Sequence, residues 1–212
     1  MGAKEINIQT DDSVLVDEFK NGSRLAYNLL VQKYQKRIYW VIRKMVLDHD
    51  DANDIAQDVF IKIYTSLHDF RGDSQFFTYI YRIAVNFSIN HINKNKRLNT
   101  GRVDIDAEAF RIHDNNNHPG ESYDDKLNEM HLETAIGSLP DKQRAVFNLR
   151  YYDGMSYEEI SKIMDTSVGG LKANYFHAVK KIQEYFTSNN IFDHLNTTGK
   201  KGEETKVVSE KN

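Results

Sequence analysis

The chain has 212 residues, of which 40% are apolar and 28% charged, and its formal net charge is −3. It contains only 11 Gly and 2 Pro and no Cys, which excludes a collagen-like or wholly disordered chain, disulfides, thiolate zinc sites and cysteine nucleophiles. The first residues carry no apolar segment typical of a signal peptide, and a chain without Cys suits a reducing cytoplasm. We therefore expect a soluble, mostly helical, cytoplasmic protein.

The charge is unevenly distributed along the chain. Residues 74–103 contain five Lys or Arg residues and no acid, whereas residues 104–133 contain nine acids and two basic residues. Local charge, more than the total, determines whether a surface attracts nucleic acid. The net charge of −3 therefore conceals a basic segment next to an acidic one.

Three amphipathic helices are predicted in the first half of the chain. Apolar residues recur at spacings of three and four over 25–47, 52–67 and 76–97, the periodicity of helices that each bury one face. The breaks between them are the acidic DHDD (48–51), which offers N-caps, and FRGDS (70–74), which contains a Gly. We expect these three helices to form one packed unit.

The second half begins with a predicted linker. Residues 99–126 have no sustained period, many acids and the sequence NHPG at 117–120, a composition typical of a solvated connection. A helical pattern resumes at Leu127, and Pro140 marks the start of a further helix. Residues 188–212 are polar and are expected to form a disordered tail.

A candidate helix-turn-helix is the sharpest local feature of the second half. Ser156 and Glu159 have the spacing of a capping box, 165–167 form a tight turn, and a longer helix is predicted over 168–186. The outward face of that helix carries polar and basic residues: Lys172, Asn174, His177, Lys180 and Lys181. A surface helix of any bundle shows two such faces, so the capped helix and the turn before it are what favour major-groove binding.

Other candidate sites are less specific. The helix after FRGDS mixes basic and aromatic residues, which suits stacking of unpaired bases and neutralisation of phosphates; Tyr79 and Tyr81 fall off its apolar stripe and are the candidates for exposed contacts. Gly169 and Gly170 either let backbone N–H groups approach a phosphate or form a loose helix start. The acids at 48–58 indicate either a solvated helix start or a docking surface for a basic partner. No metal site, cofactor motif or nucleophile–base pair is visible.

Two long segments resemble parts of one protein family. DHDDANDIAQDVFIKIYTSLHDFRGDSQFFTYIYRIAVNFSINHINKNKR resembles region 2 of the extracytoplasmic-function sigma factors of bacterial RNA polymerase, and SLPDKQRAVFNLRYYDGMSYEEISKIMDTSVGGLKANYFHAVKKI resembles their region 4. The segments follow the order of the family, and the similarity spans about residues 14–186. It implies an all-α fold of two small helical domains, region 2 at 14–98 and region 4 at 127–187, joined by a flexible acidic linker at 99–126.

The resemblance implies a non-enzymatic function in transcription initiation. Family members bind core RNA polymerase through the β′ clamp coiled coil and the β flap, melt the −10 promoter element, capture a flipped base and read −35 duplex. Core polymerase, promoter DNA and an anti-sigma factor are the implied partners. Neither a cofactor nor a metal is implied.

The resemblance also assigns site residues by position. Core-polymerase contact falls on Asp54, Gln57 and Asp58, in agreement with the outward acidic face. Contacts with the −10 element are expected from Phe70, Arg71, Gly72, Asp73, Ser74, Gln75, Tyr79, Arg82, Asn86 and Lys94. Contacts with the −35 element are expected from Ser167, Gly170, Lys172, Ala173, Asn174, His177, Lys180 and Lys181. Among the first set, Phe70 is expected to stack on an extruded base and Asn86 to bond its edge.

The chain departs from the family pattern at several positions. Tyr79 stands where Trp is usual, Ser161 where a small Ala is usual, and Asp165 where the turn has Gly; Asp tolerates left-handed backbone better than most residues. The recognition helix offers few Arg, so −35 readout is expected to differ or weaken. The alternative function is a conventional operator-binding regulator that uses only the helix-turn-helix, whereas an enzyme acting on nucleic acid finds no support in the residues.

Overall fold

The computed structural model describes residues 6–99 and 123–191, and all regular structure in these two ranges is helical, which confirms the predicted all-α fold. The α-helices of the described ranges are α1 (Asp12–Lys20), α2 (Arg24–Val46), α3 (His49–Ser66), α4 (Phe76–Asn99), α5 (Tyr123–Gly137), α6 (Asp141–Tyr151), α7 (Tyr157–Met164) and α8 (Val168–Ser188). A 3₁₀ turn, Leu67–Asp69, follows α3. Among the described residues, none of the helices combines the length and the apolarity that crossing a bilayer requires.

Helices α1–α4 form an N-terminal bundle around the three predicted apolar stripes. Ile38, Val59 and Ile80, one from each stripe, are completely buried. Helix α1, nine residues long, was not predicted from the sequence, and its Leu15 and Phe19 are buried in the same core. The bundle therefore has one more helix than the apolar periodicity indicated.

Polar side chains fix the ends of helices in this bundle. Asp48 accepts a hydrogen bond of 2.8 Å from the backbone N–H of Asp51 at the start of α3, so the N-cap predicted in DHDD is confirmed. Ser23 caps α2 in the same way. Leu47 ends α2 with a left-handed φ of 67°, which turns the chain directly into α3.

Helices α5–α8 form a C-terminal bundle with a small core of its own that contains Ile136, Leu139, Phe147 and Ala178. The predicted capping box at the start of α7 is present: the Glu159 N–H donates to the Ser156 hydroxyl, and the Ser156 N–H donates to the Glu159 carboxylate at 2.8 Å. Asp165 adopts a left-handed φ of 49°, as expected for a residue in the place of Gly. This residue leads the chain from α7 into α8.

The two bundles pack directly against each other. The main apolar core runs from α2 and α4 into the C-terminal bundle and includes Ile160 of α7. Arg144 of α6 donates to the carbonyl oxygen of Met45 at 2.6 Å, and Asn148 donates to that of Lys44 at 2.9 Å. Carbonyls in the last turn of a helix have no donor within the helix, so side chains of the C-terminal bundle cap α2.

This packing overturns the interpretation of Tyr81 as an exposed residue. Tyr81 is only 2% exposed and belongs to the shared core. The reason is that α6 and α7 cover a second side of α4, so that residues outside the first apolar stripe, Val85 among them, are buried as well. The prediction for Tyr81 was wrong because it assumed one buried face.

Residues 100–122 and 192–212, which hold most of the predicted linker and tail, lie outside the described residues. Helix α5 begins at Tyr123, before the predicted start of the second domain. At the other end, a turn after α8 leaves Ile191 only 4% exposed. The described C-terminal bundle is therefore slightly longer at both ends than the predicted domain.

Candidate nucleic-acid interface

The loop at 70–75 lies between the 3₁₀ turn and α4. Gly72 has a φ of +79°, a left-handed value that strains residues with a Cβ. Lys20 of α1 donates to the carbonyl oxygen of Phe70 at 2.5 Å, and its Nζ lies 5.9 Å from the centroid of the Phe70 ring. The rings of Phe70 and Tyr79 lie 4.8 Å apart between centroids. The loop is thus anchored at Phe70, whereas its tip is exposed.

Two clefts flank this loop. The larger, of about 590 Å³, lies between the loop, α1 and the start of α4 and includes Gln75. The smaller, of about 420 Å³, is bordered by Tyr79 and Arg82. Phe70 and Arg71 line both clefts. A base that leaves the duplex needs a stacking surface and polar groups for its edge, and both kinds of group surround this loop.

The structure brings only part of the predicted −10 set together. Phe70, Tyr79 and Arg82 share the smaller cleft. Asn86 is exposed one helical turn beyond Arg82, on the same face of α4. Lys94 follows Arg82 by twelve residues, and at about 100° per residue it points about 120° away from it. Lys94 therefore lies apart from the loop and its clefts.

Helix α1 contributes an acidic wall that the sequence analysis missed. Asp11 and Asp12 border the larger cleft. The Asp12 carboxylate accepts hydrogen bonds from Lys33, at 2.8 Å, and from the Tyr34 hydroxyl; burial and this bond raise the pKa of Tyr34. An N-cap Asp followed by apolar residues four positions apart at 15 and 19 is the signal that could have identified this helix.

Helix α8 presents most of the predicted −35 residues to solvent. Lys172, Ala173, His177, Lys180 and Lys181 are exposed, as is the N-cap Ser167, whereas Asn174 is half-buried. The Gly170 N–H donates to the Ser167 hydroxyl at 3.2 Å. A Cβ at Gly170 would lie 3.3 Å from that hydroxyl, tighter than most contacts. Gly170 therefore allows the helix start to close on its own cap.

Phe176 is an exposed residue of α8 that the sequence analysis did not select. Its side chain is 64% exposed, and its ring centroid lies 5.6 Å from that of His177. The spacing of four places it between Lys172 and Lys180 on the basic face. The major groove offers one apolar group, the thymine methyl, which an exposed ring on this face would meet. Residues 171, 175 and 178 form the apolar stripe of α8. An aromatic residue outside this stripe was the sequence signal for an exposed ring.

The acids of α3 divide between two roles. Asp48 caps the helix, and Asp51 pairs with His91 Nε2 at 2.8 Å, so these two stabilise the bundle. The outward face of the helix includes Asp54, Gln57, Asp58 and the 62% exposed Ile61, and Lys62 is exposed beside them. An acidic strip with an apolar end suits a basic helical partner. In the described part of the chain, no three His, Asp or Glu side chains are placed to hold a metal ion.

Comparison with known proteins gives matches over both bundles. Residues 30–98 match the family model of Sigma-70 region 2, and residues 130–182 match that of Sigma-70, region 4. The ECF RNA polymerase sigma-E factor of Escherichia coli K12 is 38% identical over 180 residues, which cover 82% of this chain and 93% of the relative. The RNA polymerase sigma-H factor of Pseudomonas aeruginosa is 36% identical over 182 residues, covering 83% and 94%.

Solved structures with a similar fold include two complexes. CnrH, in complex with the cytosolic domain of CnrY, has a TM-score of 0.61 at 20% identity and covers 84% of this chain and 97% of its own. The sigma factor RpoE of Bartonella quintana, in complex with the anti-sigma factor NepR, has a TM-score of 0.61 at 21% identity, with 76% and 96% covered. At these identities the similarity concerns the fold.

Proposed function

The chain belongs to the sigma-70 family of RNA polymerase sigma factors, in its extracytoplasmic-function group, and from this premise we propose that it directs core polymerase to promoters by reading −35 duplex and capturing the −10 strand. Members of the family are initiation factors without catalytic activity of their own. The observation that carries the proposal is the presence, on one chain, of two separate surfaces whose residues suit nucleic-acid binding. One is the loop at 70–75 with its clefts, and the other is the basic face of α8.

The loop and α4 are the proposed site of −10 capture. Extruding a base costs a few kcal/mol of stacking and pairing. The Phe70 ring between two clefts supplies a stacking surface, and Arg82 beside it supplies a cation for the strand. Asn86, on the same face one turn away, is within the range of a neighbouring nucleotide. These features support capture of one base next to a phosphate-binding helix.

Helix α8 is the proposed −35 reader. Its N-terminal half carries Lys172 and His177 on an exposed face, where the recognition helix of a helix-turn-helix enters the major groove. Lys180 and Lys181, farther along the helix, are the proposed contacts with the phosphate backbone. The absence of Arg from the outward face favours fewer bidentate contacts with guanine.

The outward face of α3 is the proposed docking surface for the β′ clamp coiled coil of core polymerase, and the C-terminal bundle is the proposed contact of the β flap. Asp54 and Asp58 are exposed on that face, which supports a role for them in binding a partner. Because RpoE of Bartonella quintana forms a complex with an anti-sigma factor, we also propose that an anti-sigma factor regulates this chain.

The test is run-off transcription by bacterial core polymerase from a pool of templates with randomised −35 and −10 elements. We expect transcripts only when the chain is added, and sequencing of the templates used should give one preferred sequence at each element. Core alone and core with the Asp54→Lys/Asp58→Lys double variant are the controls.

The same assay separates this function from that of an operator-binding regulator. A regulator would bind duplex DNA firmly without core polymerase and would give no transcripts with core. A sigma factor needs core for firm promoter binding. Absence of transcripts from every template, together with tight binding of one duplex by the free chain, would overturn the proposal.

A further inference from the structure

The hydroxyl of Tyr79 begins a short chain of hydrogen bonds that joins α4 to the last turn of α3. Its oxygen lies 2.7 Å from Ser66 Oγ, and Ser66 Oγ lies 2.6 Å from the carbonyl oxygen of Lys62. Ser66 and Tyr79 both line the smaller cleft beside Phe70. Ser66 was not among the residues predicted for the −10 site, so this pair adds a polar contact to the proposed capture site.

The direction of these bonds follows from the number of protons available. A carbonyl oxygen can only accept, so Ser66 donates its single hydroxyl proton to the Lys62 carbonyl. In the contact between the two hydroxyls, Ser66 Oγ is then the acceptor and Tyr79 donates its own proton. A phenol has only one proton. The oxygen of Tyr79 therefore can only accept a hydrogen bond from any further partner.

The other charged groups of this cleft fall into two classes. The carboxylates of Asp69 and Asp73 line it together with Tyr79, and ionised carboxylates also can only accept. The cations of its lining are Arg71 and Arg82, and guanidinium groups suit the phosphates of a strand. The acceptors are thus the groups left for the edge of a base.

The four bases differ in the group that such acceptors would meet. Adenine and cytosine carry an amino group, which donates, where guanine and thymine carry a carbonyl oxygen, which accepts. A carbonyl oxygen held against an acceptor loses its hydrogen bond to water without replacement. The amide of Asn86 can donate or accept, so it would bond either class. Discrimination between the classes therefore depends on groups that only accept.

We propose that Tyr79, with its proton held by Ser66, makes the smaller cleft selective for an extruded base with an amino group, adenine or cytosine, over guanine or thymine. Tyr79 is then a specificity-determining residue that contacts the base, and Ser66 is a positioning residue that acts through Tyr79. Capture of the base in this cleft rests on the proposed function.

The test is transcription by core polymerase and the full chain from premelted templates, where base pairing makes no contribution. One base of the non-template strand is varied, at the −10 position where Phe70→Ala causes the largest loss of base preference. Adenine is compared with hypoxanthine and cytosine with uracil, two exchanges that replace the amino group by a carbonyl oxygen. Wild type should use the amino-bearing template of each comparison about two- to tenfold better, the ratio that corresponds to one hydrogen bond.

The variants separate the acceptor from the ring that carries it. Tyr79→Phe keeps the ring beside Phe70 and should make use of the two templates equal. Ser66→Ala should lower the ratio, because the Tyr79 proton is then free to point at a carbonyl oxygen. Ser66→Thr, which keeps the hydroxyl, should restore it. Adding Ser66→Ala to Tyr79→Phe should have no further effect on the ratio, because Ser66 acts through Tyr79.

Tyr27→Phe is the matched control. Tyr27 is half-buried in the same bundle, and its hydroxyl donates to the carbonyl oxygen of Phe60 at 2.7 Å, outside the cleft. This variant loses a comparable hydrogen bond and should keep the wild-type ratio. Each ratio compares two templates with one protein, so an altered stability or core affinity cancels.

Equal use of the two templates by wild type, or an unchanged ratio in Tyr79→Phe, would overturn the proposal. Loss of the ratio in Tyr27→Phe would also overturn it, because any lost hydroxyl contact in the bundle would then have the same effect. Absence of transcription from every template would overturn the proposed function, whereas transcription without discrimination would overturn only the role of Tyr79 and Ser66.

Discussion

Phe70 combines a structural position with a proposed function. Its ring contacts Tyr79 and Phe76, with centroids at 4.8 and 6.4 Å, and it is only half-buried between the two clefts. Lys20 holds its carbonyl group. These contacts hold the ring in place on one side and leave the other side available to a base.

Replacing Phe70 should separate these two roles. Stacking of a base on an aromatic ring contributes about 1–3 kcal/mol, so Phe70→Ala should impair opening of a duplex promoter more than use of a premelted one, which already supplies part of the unpairing cost. Permanganate footprinting and abortive transcription on both templates measure this. Phe70→Leu is the control that keeps the packing volume. If Phe70→Ala impaired transcription from both templates equally, and Phe70→Leu impaired neither, Phe70 would serve only to stabilise the fold.

The free energy of unfolding should depend on pH through Tyr81, because this residue is buried in the core that the two bundles share. Burial, assisted by the Asp153 carboxylate, raises the pKa of Tyr81 to about 12, whereas an unfolded Tyr has a pKa of about 10. The unfolded chain therefore loses this proton first as the pH rises. The free energy of unfolding should be independent of this group below about pH 10 and should fall between about pH 10 and 12, by about 2 kcal/mol at most.

Urea denaturation of wild type and Tyr81→Phe over this pH range is the measurement. The variant should lose less stability than wild type as the pH rises. Some alkaline loss should persist, because Tyr27 and Tyr152 also have pKa values raised to about 12. Parallel curves for the two proteins would show that Tyr81 ionises as freely in the folded chain as in the unfolded one.

Tyr81 and Phe176 show where apolar periodicity fails to predict which side chains are buried and which are exposed. The stripe residues Ile38, Val59 and Ile80 were predicted correctly because a helix with one buried face leaves a clear pattern. Tyr81 was misplaced because a second surface covers α4, and Phe176 was passed over because aromatic residues are usually buried. The spacing of α4 gives no sign of the second covering surface, whereas the position of Phe176 outside the apolar stripe of α8 was a signal of its exposure.

At the scale of elements, α3 combines acids that stabilise the fold with exposed acids that are the proposed docking residues. Asp48 accepts a hydrogen bond from the Asp51 N–H and satisfies a free donor of the helix start, whereas Asp54 and Asp58 are exposed. The sequence showed an acidic cluster but did not separate these roles, since both kinds of Asp look alike without the cap geometry.

Substitutions in α3 should therefore dissociate stability from partner binding. Asp48→Ala should lower the free energy of unfolding by about 1 kcal/mol, as loss of an N-cap does, and should leave core-polymerase affinity unchanged. The double reversal Asp54→Lys/Asp58→Lys should weaken core binding at an almost constant melting temperature. Normal affinity of the Asp54/Asp58 variant in a binding titration would exclude this face as the docking surface.

Helix α8 allows a comparable test of DNA reading. Alanine at Lys172 or His177 should each remove about 1–3 kcal/mol of discrimination if the side chain contacts a base, and Phe176→Ala should reduce preference for thymine. The exposure of all three side chains predicts nearly unchanged melting temperatures. Selection from the randomised template pool measures the preference at each −35 position. If all three variants select the wild-type sequence, another face of the bundle reads the DNA.

The ends of elements were predicted more accurately where capping chemistry is visible. Asp48, Ser156 and Asp165 marked boundaries that the structure confirms. Helix α1 was missed because its nine residues contain only three buried side chains, too few to give a sustained period. Its importance comes from its position beside the loop at 70–75, which depends on tertiary packing.

At the scale of the whole molecule, the interface between the bundles could not be predicted from the sequence. It is built partly from polar side chains, Arg144 and Asn148, that bind backbone carbonyls of α2, and main-chain carbonyls leave no trace in a residue pattern. The interface also joins segments that are separated by about a hundred residues in the chain. Whether such distant segments come into contact depends on loop-closure entropy and not on local structural preference. Only the completed fold shows that one apolar core serves both bundles.

The shared core predicts that the two bundles unfold together. Trp40 borders a cleft between the two bundles, so its fluorescence reports on the interface, whereas far-UV circular dichroism reports on all helices. In wild type both signals should follow one urea transition with a common midpoint and slope. Asn148→Ala removes the donor to the Lys44 carbonyl and leaves that acceptor without its partner, which costs about 1–3 kcal/mol when the group is buried. The interface should then open first, so the fluorescence transition should move to lower urea than the circular dichroism transition. Asn174→Ala, the same substitution on α8 away from α2, should keep the two transitions coincident. Separate transitions in wild type, or coincident ones in Asn148→Ala at an unchanged midpoint, would mean that the bundles are stable independently and that the cap on α2 does not couple them.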